Sequence, residues 1–167
     1  ADQAMPNVTG QIDAALDLKY SPAGQSGTMT VNLADIGVMD AEMGAKAING
    51  TLRFDMAHPG ATQGQQVLTG TAIAPGLPEM PSTIAFSVDD ARLVHIKEAT
   101  LDLFGGQFAL IDTQLDPAQV SLNGTLRLRR VNLSTALKHL EIEGVEGTGT
   151  ISGLIPVRVT GGDVILK

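Results

Sequence analysis

The sequence predicts a mainly β protein: an elongated, twisted, largely antiparallel sheet of many strands, with one short helix near residues 133–141. Three observations carry that reading. Apolar residues recur at every second position over most of the 167-residue chain, 19 glycines and 8 prolines punctuate those runs, and a 43% hydrophobic content includes only 4 Phe, 1 Tyr and no Trp. Any apolar surface must therefore be built from Val, Ile, Leu, Ala and Met. The length suits one domain, and residues 1–167 are expected to form a single β-rich one. The spacing of the turns gives roughly ten to twelve strands.

The first alternating run places Val8, Ile12, Ala14, Leu16 and Tyr20 on one side and ends at Ser21-Pro22-Ala23-Gly24. Met29, Val31 and Leu33 share a face of the next strand, which the chain leaves at Asp35. Shorter runs follow at 38–43 and 46–56, the second with Ile48, Leu52 and Phe54 on the side of Gly50. Residues 57–66 form a polar stretch and are expected to be the loop best suited to movement. A strand from Val67 to Ala74 is stopped by Pro75-Gly76-Leu77-Pro78, with Pro81 beyond, a stretch no helix tolerates. Ile84, Phe86 and Val88 lead through Asp89-Asp90 into Leu93–Ile96, a hairpin with its acidic pair at the turn. Ala99, Leu101 and Leu103 turn at Gly105-Gly106 and return through Phe108 and Leu110.

The last third says most. Leu122, Leu126 and Leu128 share one face, and Asn123, Arg127 and Arg129 point the other way, the signature of a half-buried strand. Asn132 or Ser134 can cap a run in which Leu133, Ala136, Leu137 and Leu140 recur at helical spacing, with Gly144 just past its end. At about two turns, that helix needs something under its apolar stripe. Ile151, Ile155, Val157 and Val159 then alternate with polar or small residues, and Gly161-Gly162 turns into a last strand. Ile48-Asn-Gly-Thr-Leu-Arg-Phe is echoed by Leu122-Asn-Gly-Thr-Leu-Arg-Leu. Strand units laid down more than once favour a sheet extended by addition over a closed enzyme scaffold.

Several classes of function are set aside. A net charge of −7, no basic block and few aromatic rings argue against nucleic acid as a partner. No apolar run approaches the roughly 18 residues of a bilayer span, and the N-terminus lacks a signal pattern. Without cysteine there is neither a disulfide scaffold nor a thiolate metal site. His58, His95 and His139 have no partners at metal-ligand spacing, so neither metal nor cofactor is expected. Asp89 and Asp90 point to opposite faces of an extended chain and read as a solvated turn, not an acid/base pair. The glycine pairs follow strands with no helix behind them and read as turns, not phosphate cradles. No catalytic constellation emerges, and no enzyme is expected.

Two sets of residues remain as candidates. Leu122, Leu126, Leu128, Ile151, Ile155 and Val157 could face lipid, or they could be the core of a β-sandwich. Arg127, Arg129 and Arg158, gathered with Arg130 in the C-terminal third of an acidic chain, could hold an anion or head group by bidentate hydrogen bonds. They could equally be the wet side of two strands, guarding against edge-to-edge aggregation.

Gly124-Thr-Leu-Arg-Leu-Arg-Arg-Val-Asn-Leu, the short helix, the glycine-punctuated run from Leu140 to Val159 and Gly161-Gly162 resemble the end of the YdbH-like proteins of Gram-negative bacteria. That family is related to the AsmA-like and TamB-like bridge proteins, and its domain carries the old label "dicarboxylate transport". Upstream, Ile48-Asn-Gly-Thr-Leu-Arg-Phe-Asp, the polar loop, Gly76-Leu-Pro and the turn after Leu101 fall in the same order. The resemblance implies a periplasmic protein held at the inner membrane by an anchor outside this chain. It implies a groove carrying phospholipid acyl chains between inner and outer membrane, with an envelope protein as a further candidate partner. This chain would be a C-terminal segment, its final Val164-Ile-Leu-Lys stopping in mid-strand pattern. Two alternatives stand beside it: an interaction module whose sheet closes into a dry sandwich and recruits a strand at its edge, and a carboxylate-binding component using the arginines.

Overall fold

The computed structural model describes residues 6–22, 24–119, 121–139, 147–160 and 163–166. In chain order the elements are β1 (Asn7–Ser21), β2 (Gly24–Asp40), β3 (Met43–Asp55), β4 (Gln66–Ile73), β5 (Met80–Val88), β6 (Val94–Leu103), β7 (Gly106–Asp116), β8 (Ser121–Asn132), α1 (Leu133–His139), β9 (Thr150–Thr160) and β10 (Asp163–Leu166). The 10 strands make one sheet in sequence order, each antiparallel to the next, and β1 and β10 are its two open edges. The elongated antiparallel sheet with one short helix is the architecture the alternation predicts.

The pairing register stacks like on like. One rung runs Ile12, Leu33, Gly50, Leu68, Ile84, Ala99, Leu110, Leu126 and Ile155 from β1 to β9. A second joins Val88, Val94, Leu115, Leu122 and Val159. On the other face Asn49, Thr69, Thr83, Thr100, Ala109 and Arg127 line up instead. One side of the sheet is mainly hydrocarbon and the other mainly polar.

Among the described residues no second layer covers the apolar side. Strands adjoin in space those they adjoin in sequence, and α1 rests on β8. Among the described residues no large side chain is fully buried, and on β1 Ile12 and Leu16 are 61% and 56% exposed. The accessible surface, 10963 Å², compares with about 7,800 Å² for a compact monomer of this mass. The sheet is open, and a dry sandwich core is not formed.

Bulges bend it. At four of them a residue with positive φ, Asp35 (55°), Ala47 (52°), Asp112 (46°) or Arg130 (53°), is followed by a β-branched one: Ile36, Ile48, Thr113 or Val131. Each of these pairs lies against a glycine on the next strand: Gly10, Gly70, Gly124 and Gly106 respectively. The glycine lets the bulged strand approach closely, and the bulge increases local twist and bends the strand. Three of the four β-branched residues are among the few buried apolar or polar side chains, Val131 at 4% and Thr113 at 3% exposed, with Ile36 close behind. The Thr113 hydroxyl is satisfied by the Ile111 carbonyl at 3.0 Å. The two echoed sequence units share this logic, since Gly50 and Gly124 both lie beneath a side chain of the adjoining strand, Leu68 and Thr113.

The polar stretch after β3 is not a free loop. β4 is shorter than β3, and residues 61–63 fill the gap: the Thr62 amide donates to the Val88 carbonyl at 2.9 Å and the Gln63 amide to the Arg53 carbonyl at 2.8 Å. The Val88 amide donates in turn to the Thr62 hydroxyl at 3.0 Å. Buried Gln66 completes the patch, accepting from the Arg53 amide and donating to the Gln63 and Gly64 carbonyls. The polarity that reads as loop in the sequence supplies hydrogen bonds to a sheet.

Of the two cap candidates for α1, Asn132 is the one used: its Oδ1 accepts from the Thr135 amide at 2.9 Å. Leu133 and Leu137 rest against Gly147, and the Phe104 ring lies 5.3 Å from that of His139. Leu140, Gly144 and the Gly161-Gly162 turn lie outside the described residues, although Thr160 and Asp163 on either side of that turn are paired.

A methyl group at Gly124 would overlap the Thr113 hydroxyl and lie 2.7 Å from its Cβ. Gly124→Ala is therefore expected to lower stability by about 1–3 kcal/mol in urea unfolding, with partial recovery in combination with Thr113→Ala. An unchanged midpoint would count against the seating of bulges on glycines.

Candidate functional site

The register turns the apolar side chains into a trough. Leu122, Leu126 and Leu128 of β8 are half-buried and share a face with Ile155 and Val157 of β9, also half-buried, and with Ile151, which is 42% exposed. The six lipid-facing candidates are thus brought together on one surface. Further along the same face, Ala45, Gly70, Ser82 and Ala99 are small where Ile48 and Ile84 are large, and a hollow of about 230 Å³ opens between them. Thr69, Thr83 and Thr100 also border it from strand positions of the opposite parity, and the hydroxyl of Ser82 is already engaged, donating to the Gly70 carbonyl at 3.2 Å. What the hollow offers is hydrocarbon.

The arginine candidates stand on the opposite face, and they are not brought together. Arg127 crosses β7 over Ala109, which is 1% exposed, and its guanidinium pairs with Glu98 of β6. Its Nε is buried with no hydrogen-bond partner, so the stem serves as a cover for the sheet as much as a charge. Arg129 lies towards one end of the strands, in a hollow with Arg130 and Asp102. Arg158 lies towards the other, in a hollow with Asp116 and Ser121.

Two histidine–carboxylate pins escape a spacing search because the fold assembles them. His58 Nδ1 is 3.0 Å from an Asp55 oxygen and its Nε2 is 3.9 Å from Asp90; His95 Nε2 is 2.8 Å from Asp89. Asp55 is held below the usual carboxylate value by its hydrogen bond with His58 and then by the Ala57 amide. The same Asp55 bond, and next the charge of Asp90, raises His58 above the ordinary imidazole value. Asp89 is lowered by His95 and then by the Leu93 amide. The only linear trace of these pins is the three-residue step from Asp55 to His58. His58 reaches from the strap after β3 to Asp90 of the β5–β6 turn, while His95 and Asp89 close that turn on itself. Among the described residues no group of three or more His, Cys, Asp or Glu is placed to hold a metal, and no helix is long and apolar enough to cross a membrane.

The described residues form a one-layer sheet with a largely aliphatic face and a polar back. The chain is a member of the YdbH-like family: it matches that family, described as intermembrane phospholipid transport protein YdbH, over residues 1–167. The family comprises bridge-type lipid-transport proteins of the periplasm and cell envelope, and the chain is a transport module, not an enzyme. No curated protein and no solved structure matches it.

The pins give the strap a pH dependence whose sign is fixed. A raised His58 contributes fully below 6.5 and loses its contribution as pH climbs through its folded value, while lowered Asp55 contributes above 3.8 and fades as pH falls. His58→Gln is therefore expected to speed amide exchange at Thr62 and Gln63 most at about pH 5, with the difference from wild type shrinking towards alkaline pH. Equal protection in the two proteins at that pH would show that His58 does not hold the strap.

Proposed function

We infer that this sheet is a section of a conduit whose apolar face carries phospholipid acyl chains between the inner and outer membranes. The observation that supports it is the rung from Ile12 to Ile155, which crosses nine strands without a polar side chain and without protein above it. Leu122, Leu126, Leu128, Ile151, Ile155 and Val157 form the lipid-facing wall at the C-terminal end of that surface. Attachment to the inner membrane through a segment outside residues 1–167 belongs to the same proposal and rests on family membership alone.

The energetics suit a carrier. Full burial is worth about 0.8 kcal/mol per methylene, and a trough covering one side of a 16-carbon tail supplies roughly half of that, about 6 kcal/mol. That is enough to take a tail out of water. Because the rungs are alike, it is spread along the surface with no deep minimum to stop movement. The aliphatic lining, with no Trp and only 1 Tyr, leaves few bulky rings to obstruct a sliding chain.

Delipidated protein incubated with a phospholipid mixture and repurified is expected to carry stoichiometric lipid in native mass spectrometry. Leu126→Glu should lower the bound lipid by tenfold or more while the melting curve survives, since the side chain faces the trough, not a closed core. Wild-type protein that returns without lipid, or a variant that unfolds, would count against the reading.

A further inference from the structure

We propose that the hollow at the β6–β7 turn, lined by Arg129 and Arg130, binds a phosphoryl group. Strand alternation would send two consecutive side chains to opposite faces. Here the bulge prevents that. Leu128 pairs with Gly153 and Val131 with Ile151, so Arg129 and Arg130 together stand opposite Ser152, and both line the same hollow. Arg130 is fixed in this position by its left-handed backbone, φ 53°, and by its amide donating to the Ser152 hydroxyl at 2.9 Å.

The hollow, about 690 Å³ and open to water, is bordered by Gly105 and Gly106, where no side chain intrudes. Its charge is unbalanced. Among the described residues Asp102 is the one carboxylate in its lining, and that group already accepts from Gln107 Nε2 at 3.3 Å, while neither arginine forms an ion pair. Two guanidiniums facing one carboxylate make a locally cationic site on a chain of net charge −7. Two planar forks match the several oxygens of a tetrahedral phosphoryl group, whereas a single carboxylate is satisfied by one fork.

The site lies on the polar face at the end of the strands, so a head group whose tails lie in the trough would reach it by turning round the end of the sheet. A phosphoryl group could come from a lipid whose tails occupy the trough, or from free phosphate. The first source rests on the proposed conduit; the site itself does not.

The test is an NMR titration of the isotope-labelled whole chain at constant ionic strength. One arm uses inorganic phosphate, the other short-chain phosphatidylglycerol below its micelle concentration. Saturable shifts at the Gly105 and Gly106 amides and at the Arg129 and Arg130 Nε–H groups are expected. Arg129→Gln and Arg130→Gly should each weaken them about tenfold or more. Glycine suits the left-handed backbone at 130, so the second variant removes the guanidinium without loss of fold. Shifts with phosphate alone identify free phosphate, and shifts with the lipid alone or with both identify a head group; either supports the site. No saturable shift in either arm, or undiminished binding by both variants, overturns it. Leu126→Glu should lose lipid without altering the phosphate titration, so that failure of the conduit and failure of the site are read apart.

Discussion

The backbone hydrogen-bond ladder between sequence neighbours is the interaction on which everything else in this protein rests. In a two-layer domain the ladder positions side chains and the packed layers between them supply cohesion. Here there is one layer, and among the described residues no large side chain is fully withdrawn from water. Each strand is held by the strand before and the strand after it. Stability then behaves as a sum of neighbour terms, as in repeat arrays, and damage at one rung stays local. The gain is a surface: a fold that does not consume its own hydrocarbon face keeps that face for something else.

Keeping most of the large apolar residues on that face is harder than the simple alternation suggests, because the sheet also bends. A bulge inserts a residue, and an inserted residue inverts the alternation beyond it. β6 shows how the inversion is used. Val94 and Ile96 face the trough, Lys97 is the extra residue, and from Ala99 onward the apolar positions are odd where before they were even. β7 makes the same step between Leu110 and Thr113 through Asp112. The sequence had already shifted its pattern at the places where the backbone shifts, which is why the two agree.

This also marks what could be read from the chain. Strands, turns and the Asn132 cap were legible because each depends on local chemistry. The open face was legible only as a choice between trough and sandwich, since a leucine at every second position looks the same under lipid as under a second sheet. The pairing of Arg129 with Arg130 was hidden, because its cause is a left-handed residue that nothing in the letters Arg-Arg-Val announces. The histidine pins were hidden for another reason: Asp90 reaches His58 only after the strap after β3 has been laid against the β5–β6 turn. Arg127 was visible as a charge and misleading as one, for its stem covers Ala109 and its guanidinium is engaged by Glu98.

The two faces impose opposite demands, and the chain meets them with different chemistry. A surface along which a ligand moves must be favourable everywhere and decisive nowhere, and repeated aliphatic rungs have that property because dispersion and burial carry no direction. The polar back must resist edge pairing and hold the curvature, and directional groups do that: threonines at successive register positions and an arginine laid across β7. Directional contacts placed in the trough would trap a ligand, and nonspecific contacts on the back would let the sheet slip. Confining each kind to its own side is the condition under which a single sheet can be both a stable wall and a smooth track.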